Sequence, residues 1–149
     1  MGEAMADDNW LDAAVIACPA CGVRLFRVIH SPFCDDHRLY CDHCPRAIEV
    51  SYYDANYGRI RNTLGQGCKR EQIMAALEPL VRPCVCGGRF RDTAPRHCFT
   101  CGAVVPEAAT HDLSPYTGCE DSNREPTAEE QAEYDEFEAA FIGRDNLWT

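Results

Sequence analysis

Eight of the eleven cysteines stand in four close pairs, and close cysteine pairs are suited to binding a soft metal ion. Each pair can present two thiolates from one tight turn, and two such turns complete a tetrahedron of four sulfurs. The pairs are Cys18 and Cys21, Cys41 and Cys44, Cys84 and Cys86, and Cys98 and Cys101. The sequence therefore predicts two four-sulfur metal sites holding two zinc ions.

The order of the pairs along the chain indicates which of them share a metal. Nineteen residues separate the first pair from the second, and eleven separate the third from the fourth. Inserts of this length can form a hairpin that returns one pair to its neighbour. We therefore predict one site from Cys18, Cys21, Cys41 and Cys44, and a smaller one from Cys84, Cys86, Cys98 and Cys101. Iron in an all-sulfur tetrahedron is the main rival to zinc.

The ligand list has two open alternatives. His97 precedes Cys98 and could replace one cysteine of the second site. Cys34 and His37 have the C-x2-H spacing and could start a third site with Cys68 or Cys119, although unligated thiols are the favoured interpretation of these residues.

With glycine after Cys21, Cys86 and Cys101, these paired cysteines resemble those of the zinc-ribbon group, here in tandem. The resemblance covers about residues 18–54 and 84–105. It implies a metal-bound hairpin fold and does not specify a function, because ribbons serve in transcription, RNA handling, enzymes and protein docking.

The elements that would position these cysteines follow from the hydrophobic pattern. The segments "VRLFRVIH", "RLYC" and "AIEVSYYD" are predicted strands, and "CKREQIMAALEPLV" has helical spacing that Pro79 should end or kink near Glu78. The predicted fold class is a small metal-stabilised α+β protein: two zinc ribbons joined by a helix, with an acidic C-terminal helix. The predicted segments are an acidic N-terminus at 1–17, ribbons at 18–54 and 84–106, a linker helix region at 55–83, and an acidic region at 107–149 with a helix at about 128–142.

The C-terminal region carries most of the negative charge. The net charge is −10, and residues 107–149 alone contribute −10 while residues 18–106 contribute +4. Thr127 and Glu130 form a predicted capping box, and the helix after it has one aromatic face among many carboxylates. That face must pack on the chain's own ribbons or on a partner. The predicted partner-binding residues are Glu133, Tyr134, Asp135, Glu136, Phe137, Glu138, Phe141 and Trp148.

The sequence shows no catalytic constellation: no nucleophile beside a base, no phosphate-binding loop and no HExxH motif. A four-sulfur zinc site also has no open position for water, so we expect a non-enzyme. The acidic N-terminus is unlike a secretory signal, and no apolar run is long enough to span a membrane. These features predict a cytoplasmic protein.

Two classes of function remain at this point. The first is a protein-interaction module, such as an acidic inhibitor of the immunity-protein or antitoxin type, which binds a basic, nucleic-acid-binding partner. The alternative is a nucleic-acid-associated zinc-ribbon factor in transcription or RNA handling. In that alternative Tyr52, Tyr53 and Tyr57 would stack on bases while Arg59 and Arg61 hold phosphates. The net charge favours the first class, because phosphates repel an acidic protein.

Overall fold

Two small sheets and three helices make up the described part of the chain. The computed structural model describes residues 14–28, 36–108, 111–116 and 125–149. The helices are α1 (Ala55–Leu64), α2 (Arg70–Leu77) and α3 (Ala128–Phe141), with 3-10 turns at Glu78–Leu80 and Pro106–Ala108. The strands are β1 (Val15–Ala17), β2 (Arg24–Val28), β3 (Asp36–Cys41), β4 (Ala47–Ser51), β5 (Phe90–Arg91), β6 (Asp112–Pro115) and β7 (Ile142–Gly143). The coarse prediction of a small α+β protein is confirmed, and the predicted acidic segment at 1–17 lies mostly outside the described residues.

Both sheets join strands that are far apart in the sequence. One sheet has the order β1-β2-β6, and the other has the order β5-β3-β4-β7. The neighbours are antiparallel except for β4 and β7, which are parallel. In the second sheet Cys41 of β3 is paired with Phe90 of β5. The third cysteine pair is thereby brought next to the second.

The larger core lies between the four-stranded sheet and helices α1 and α2. Leu39 of β3 pairs with Ile48 of β4, and both side chains are buried together with Leu77 of α2. Helix α2 has the apolar face that its sequence predicts, and it gives way to a 3-10 turn at Glu78, next to Pro79.

The smaller core lies against the three-stranded sheet. It contains Leu25, Val105, Ala108 and Leu113 together with Cys18 and Cys98. Two of its six buried residues are therefore cysteines. Because a cluster of this size buries little apolar surface, it depends on additional cross-links.

Charged and aromatic side chains connect the two sheets. The Tyr40 hydroxyl of β3 donates to the carboxylate of Asp112 in β6, and Arg38 Nη1 lies 3.5 Å from the same carboxylate. The Arg96 guanidinium covers the Tyr40 ring at 3.6 Å from its centroid. Burial, followed by the nearby Asp112 charge, raises the pKa of Tyr40. The buried Asp112 thus binds the Tyr40 hydroxyl and Arg38, and so links β6 to β3.

Replacing Asp112→Asn should destabilise the protein by about 2 kcal/mol, because the buried Tyr40 hydroxyl and Arg38 lose a charged acceptor, while Arg38 keeps its ion pair with Glu49. Urea unfolding of the metal-loaded protein measures this change. The exposed Asp145 provides the control, since Asp145→Asn should change stability by less than about 0.5 kcal/mol. Equal effects of the two substitutions would contradict the structural role assigned to Asp112.

Candidate metal centres

Eight cysteines assemble into two groups of four within the described residues. The outer cluster consists of Cys18, Cys21, Cys98 and Cys101. The inner cluster consists of Cys41, Cys44, Cys84 and Cys86. Within each group the four sulfur atoms lie within 4.8 Å of one another. The inner cluster therefore lies between the two halves of the outer cluster in the sequence.

The sulfur separations match those of a tetrahedral metal site. In the outer cluster the Sγ atoms of Cys18 and Cys101 are 3.5 Å apart, and a second pair is 3.8 Å apart. In the inner cluster the Sγ atoms of Cys41 and Cys86 are 3.4 Å apart, and a second pair is 3.6 Å apart. A tetrahedron with metal–sulfur bonds of about 2.3 Å has edges of about 3.8 Å. All nine described cysteines are free of disulfides, so each cluster has four thiols that could hold a metal ion.

The predicted pairing of consecutive cysteine pairs is wrong. The first pair is joined to the fourth, and the second is joined to the third. The physical reason is the strand pairing: β5 adds to β3 and carries the third pair to the second, while β6 adds to β2. Among the residues that the structure describes, neither segment 18–54 nor segment 84–106 contains a complete site.

The C-x-C pair is a turn of the same kind as the C-x2-C pairs, one residue shorter. In the first pair, the Cys18 N–H donates to Val23 O and closes the turn. In the third pair, the Cys84 N–H donates to Gly88 O, one residue closer in sequence. Gly88 is required there, because a Cβ atom on it would lie 2.7 Å from the Sγ of Cys41. Gly87 has a φ of 98°, which also favours glycine. The short spacing is therefore compatible with metal binding.

Backbone N–H groups favour the thiolate of one cysteine in each cluster, and burial opposes ionisation of two cysteines in the inner cluster. The Cys21 backbone N–H lowers the pKa of Cys18 to about 6, and the Gly88 N–H lowers that of Cys86 to about 7. Burial raises the pKa of Cys41 and of Cys84. Four thiolates in either cluster consequently require a cation between them.

Residues proposed as alternative ligands lie outside both clusters. His97 is not a member of either group, and its backbone pairs with Val104. Both ring nitrogens of His37 are engaged: Nδ1 accepts from Arg70 at 2.9 Å, so Nε2 donates to the Tyr57 hydroxyl at 3.0 Å. Cys68 belongs to neither group. The other members of the hypothetical third site, Cys34 and Cys119, lie outside the described residues.

The aromatic face of α3 packs on the protein itself. The ring of Phe137 is 4.9 Å from that of Phe99, and Phe141 is 6.2 Å from the same ring. Tyr134 contacts Phe137 at 6.0 Å. The indole N–H of Trp148 donates to the side chain of Asp54 at 3.1 Å. The predicted partner-binding aromatic residues thus have contacts within this chain.

The predicted partner-binding acids of α3 are more exposed. Glu133, Asp135 and Glu136 are exposed to solvent, and Glu138 is half-buried and pairs with Arg144 at 3.2 Å. The capping box of Thr127 and Glu130 is present as the sequence predicts.

The tyrosine and arginine stretch is divided between different environments. Tyr57 is buried, whereas Tyr52 stacks on it and Tyr53 is 82% exposed. Arg61 donates to the Tyr57 hydroxyl at 3.3 Å, while Arg59 lines a groove between α1 and α2. Tyr52 and Arg61 thus contact Tyr57, and the ring of Tyr57 is too buried to stack on a base.

The fold and the clusters define a small α+β protein with two four-cysteine sites, each able to hold a metal ion. Residues 14–107 match the family described as "Domain of unknown function (DUF8255)". The chain belongs to this family. The matched range contains both clusters and ends before β6 and α3. Comparisons with the curated proteins and with the solved structures found no significant match. Within the described residues, no helix has the length and apolar character needed to cross a membrane.

Proposed function

We propose that this protein is a non-catalytic zinc-binding module that presents an acidic surface to a basic protein partner in the cytoplasm. Two groups of four cysteines support zinc, because four thiolates at tetrahedral spacing are a preferred donor set for this ion. Four protein ligands fill the coordination shell and leave no position for a substrate or a reactive water. Such sites stabilise a fold and do not supply catalysis.

The observation that carries the proposal is the orientation of α3. Phe137 and Phe141 are directed toward Phe99 of the same chain, whereas Glu129, Glu133, Asp135 and Glu136 are exposed to solvent. We name the exposed residues Glu129, Glu133 and Glu136 the acidic face; their spacing places them on one side of the helix. A fixed row of carboxylates resembles a phosphate backbone in charge. It is complementary to proteins that bind nucleic acid, as in inhibitors of the immunity-protein or antitoxin type.

Charge reversal of the acidic face tests this proposal. The triple variant Glu129→Lys, Glu133→Lys and Glu136→Lys should slow association with the basic partner at least about tenfold at low salt. The partner is first captured from the native host, and association is then measured by surface plasmon resonance at low and high salt.

A matched variant distinguishes an effect of the acidic face on association from an effect of the net charge alone. Glu71→Lys, Glu107→Lys and Asp145→Lys make the same change in charge at exposed positions elsewhere. This variant should keep most of the association rate. If both variants lose it equally, or if the captured partner is acidic, the acidic face is not the docking surface.

A second candidate function is favoured by Tyr53, which is 82% exposed and belongs to the same stretch of sequence as the exposed Arg59 and Arg61. An exposed aromatic ring near arginines can stack on an unpaired base. Fluorescence anisotropy with labelled single-stranded DNA and RNA tests this function. Binding that Tyr53→Ala abolishes would favour the nucleic-acid factor over the protein-interaction module.

A further inference from the structure

Phe99 connects the outer cluster to helix α3. It lies in the turn between Cys98 and Cys101, and both of these cysteines are members of the outer cluster. We propose that a metal ion in the outer cluster holds α3 against the protein, and that loss of this ion releases the helix. The inner cluster borders the last turn of α3, where Cys84 lines a groove with Ala139, Ala140 and Phe141, so we assign it no role in holding residues 128–137. The proposal goes beyond the proposed function and holds whether or not the acidic face binds a partner.

The contact between the turn and the helix is aromatic and specific. The Phe99 ring meets Phe137 at 4.9 Å in an edge-on arrangement of 62°, and it meets Phe141 at 6.2 Å. Phe99 also packs against the smaller core. Its position depends on a turn whose two ends are metal ligands, so the metal fixes the ring that α3 packs on.

Apart from the Phe99 contact, α3 is held at its last turn, where Ala139, Ala140 and Phe141 line a groove with Ala47 and Ile48, and by the ion pair of Glu138 with Arg144. None of its fourteen residues is fully buried, and isolated helices of this length are marginal in water. Phe137 and Phe141 therefore supply a large share of its apolar contact. When the turn loses its shape, we expect α3 to detach and fray.

The chain after α3 is attached to a different part of the protein. Ile142 of β7 pairs with Ala47 of β4, and Leu147 is buried in the larger core. Trp148 is held by its hydrogen bond to Asp54. These contacts do not involve the outer cluster, so residues 142–149 should remain in place when α3 is released.

The two clusters also differ in accessibility. In the outer cluster Cys21 and Cys101 are both exposed, whereas in the inner cluster Cys86 is exposed and Cys44 is half-buried. The inner cluster is part of the larger core, and the outer cluster is part of the smaller one. A competing chelator should therefore reach the outer metal first.

Hydrogen exchange of the full-length, zinc-loaded chain tests the proposal, with zinc content measured by native mass spectrometry. Cys101→Ser should retain one ion, and its amides in residues 128–141 should exchange at least about tenfold faster than in the wild type. Exchange in β3, β4 and residues 142–149 should stay slow. Cys86→Ser should also lose one ion, and residues 128–137 should keep their protection.

A second pair of variants separates helix docking from metal binding. Phe99→Ala should retain two ions and still release α3, whereas Thr100→Ala in the same turn should retain both the ions and the protection. The proposal is overturned if α3 stays protected in Cys101→Ser or in Phe99→Ala. It is also overturned if Cys101→Ser exposes β3 and β4 as well, or if Cys86→Ser releases α3 equally.

Discussion

With one zinc ion in each cluster, as we propose, replacing Cys18 and Cys101 together by serine should remove one ion and leave the other in place. Both residues belong to the outer cluster, so the inner cluster keeps its four sulfurs. Replacing Cys18 and Cys41 together should instead leave no fully ligated site, because each cluster then loses one ligand. Native mass spectrometry in the presence of a competing chelator should detect about one ion in the first variant and close to none in the second.

These two variants have the opposite outcome if consecutive cysteine pairs share a metal. Cys18 and Cys41 would then belong to one site, and their replacement would spare the other. Cys68→Ser is the control, because Cys68 lies outside both clusters and its loss should leave both ions bound. Retention of one ion in the Cys18 and Cys41 variant, with none in the Cys18 and Cys101 variant, would contradict the nested arrangement.

The sequence identifies the eight cysteines of the clusters, and it does not determine how they are shared. Each cysteine pair lies within one short turn, so the sequence shows it locally through the spacing of the cysteines and the glycine beside them. Which pairs meet depends on sheet formation between distant strands. Strand β5, whose pairing with β3 brings together the two cysteine pairs of the inner cluster, has only two residues, Phe90 and Arg91. Such a short strand has no hydrophobic alternation to recognise. The predicted pairing therefore rests on the order of the cysteine pairs along the chain, and that order does not determine which pairs share a metal.

The helices show the same difference between local and distant information. Helix α3 is predicted from its capping box, and α2 from its apolar spacing, because both signals lie within the helix. The sequence prediction places α1 inside the linker helix region at 55–83 and gives it no separate helix, although Asp54 caps it by accepting from the backbone N–H groups of Asn56 and Tyr57. The surface that covers the aromatic face of α3 could not be predicted, since it depends on Phe99, about forty residues away. A large aromatic residue inside a metal-binding turn was the signal that could have indicated it.

Removing both metals should unfold the described chain. The larger core includes Cys41 and Cys84 among its buried residues, and two of the six buried residues of the smaller core are cysteines. A structural zinc site contributes on the order of 10 kcal/mol in small domains, which is comparable to the total stability of an ordinary domain of about 5–15 kcal/mol. Chelation under reducing conditions should therefore abolish the thermal transition and the near-ultraviolet circular dichroism. Adding zinc back should restore both.

The order in which zinc restores the structure follows from the two cores. The outer cluster joins cysteines up to 83 positions apart, and the inner cluster joins cysteines up to 45 apart. This difference in loop length is worth only about 0.6 kcal/mol, because the closure cost grows with the logarithm of the length. The larger core behind the inner cluster is the stronger effect, so the first equivalent of zinc should protect the amides of β3, β4 and α2 before those of α3. A metal-free, reduced protein that keeps its thermal transition would show that the cysteines are packed as ordinary buried thiols, and that the metal does not hold this fold together.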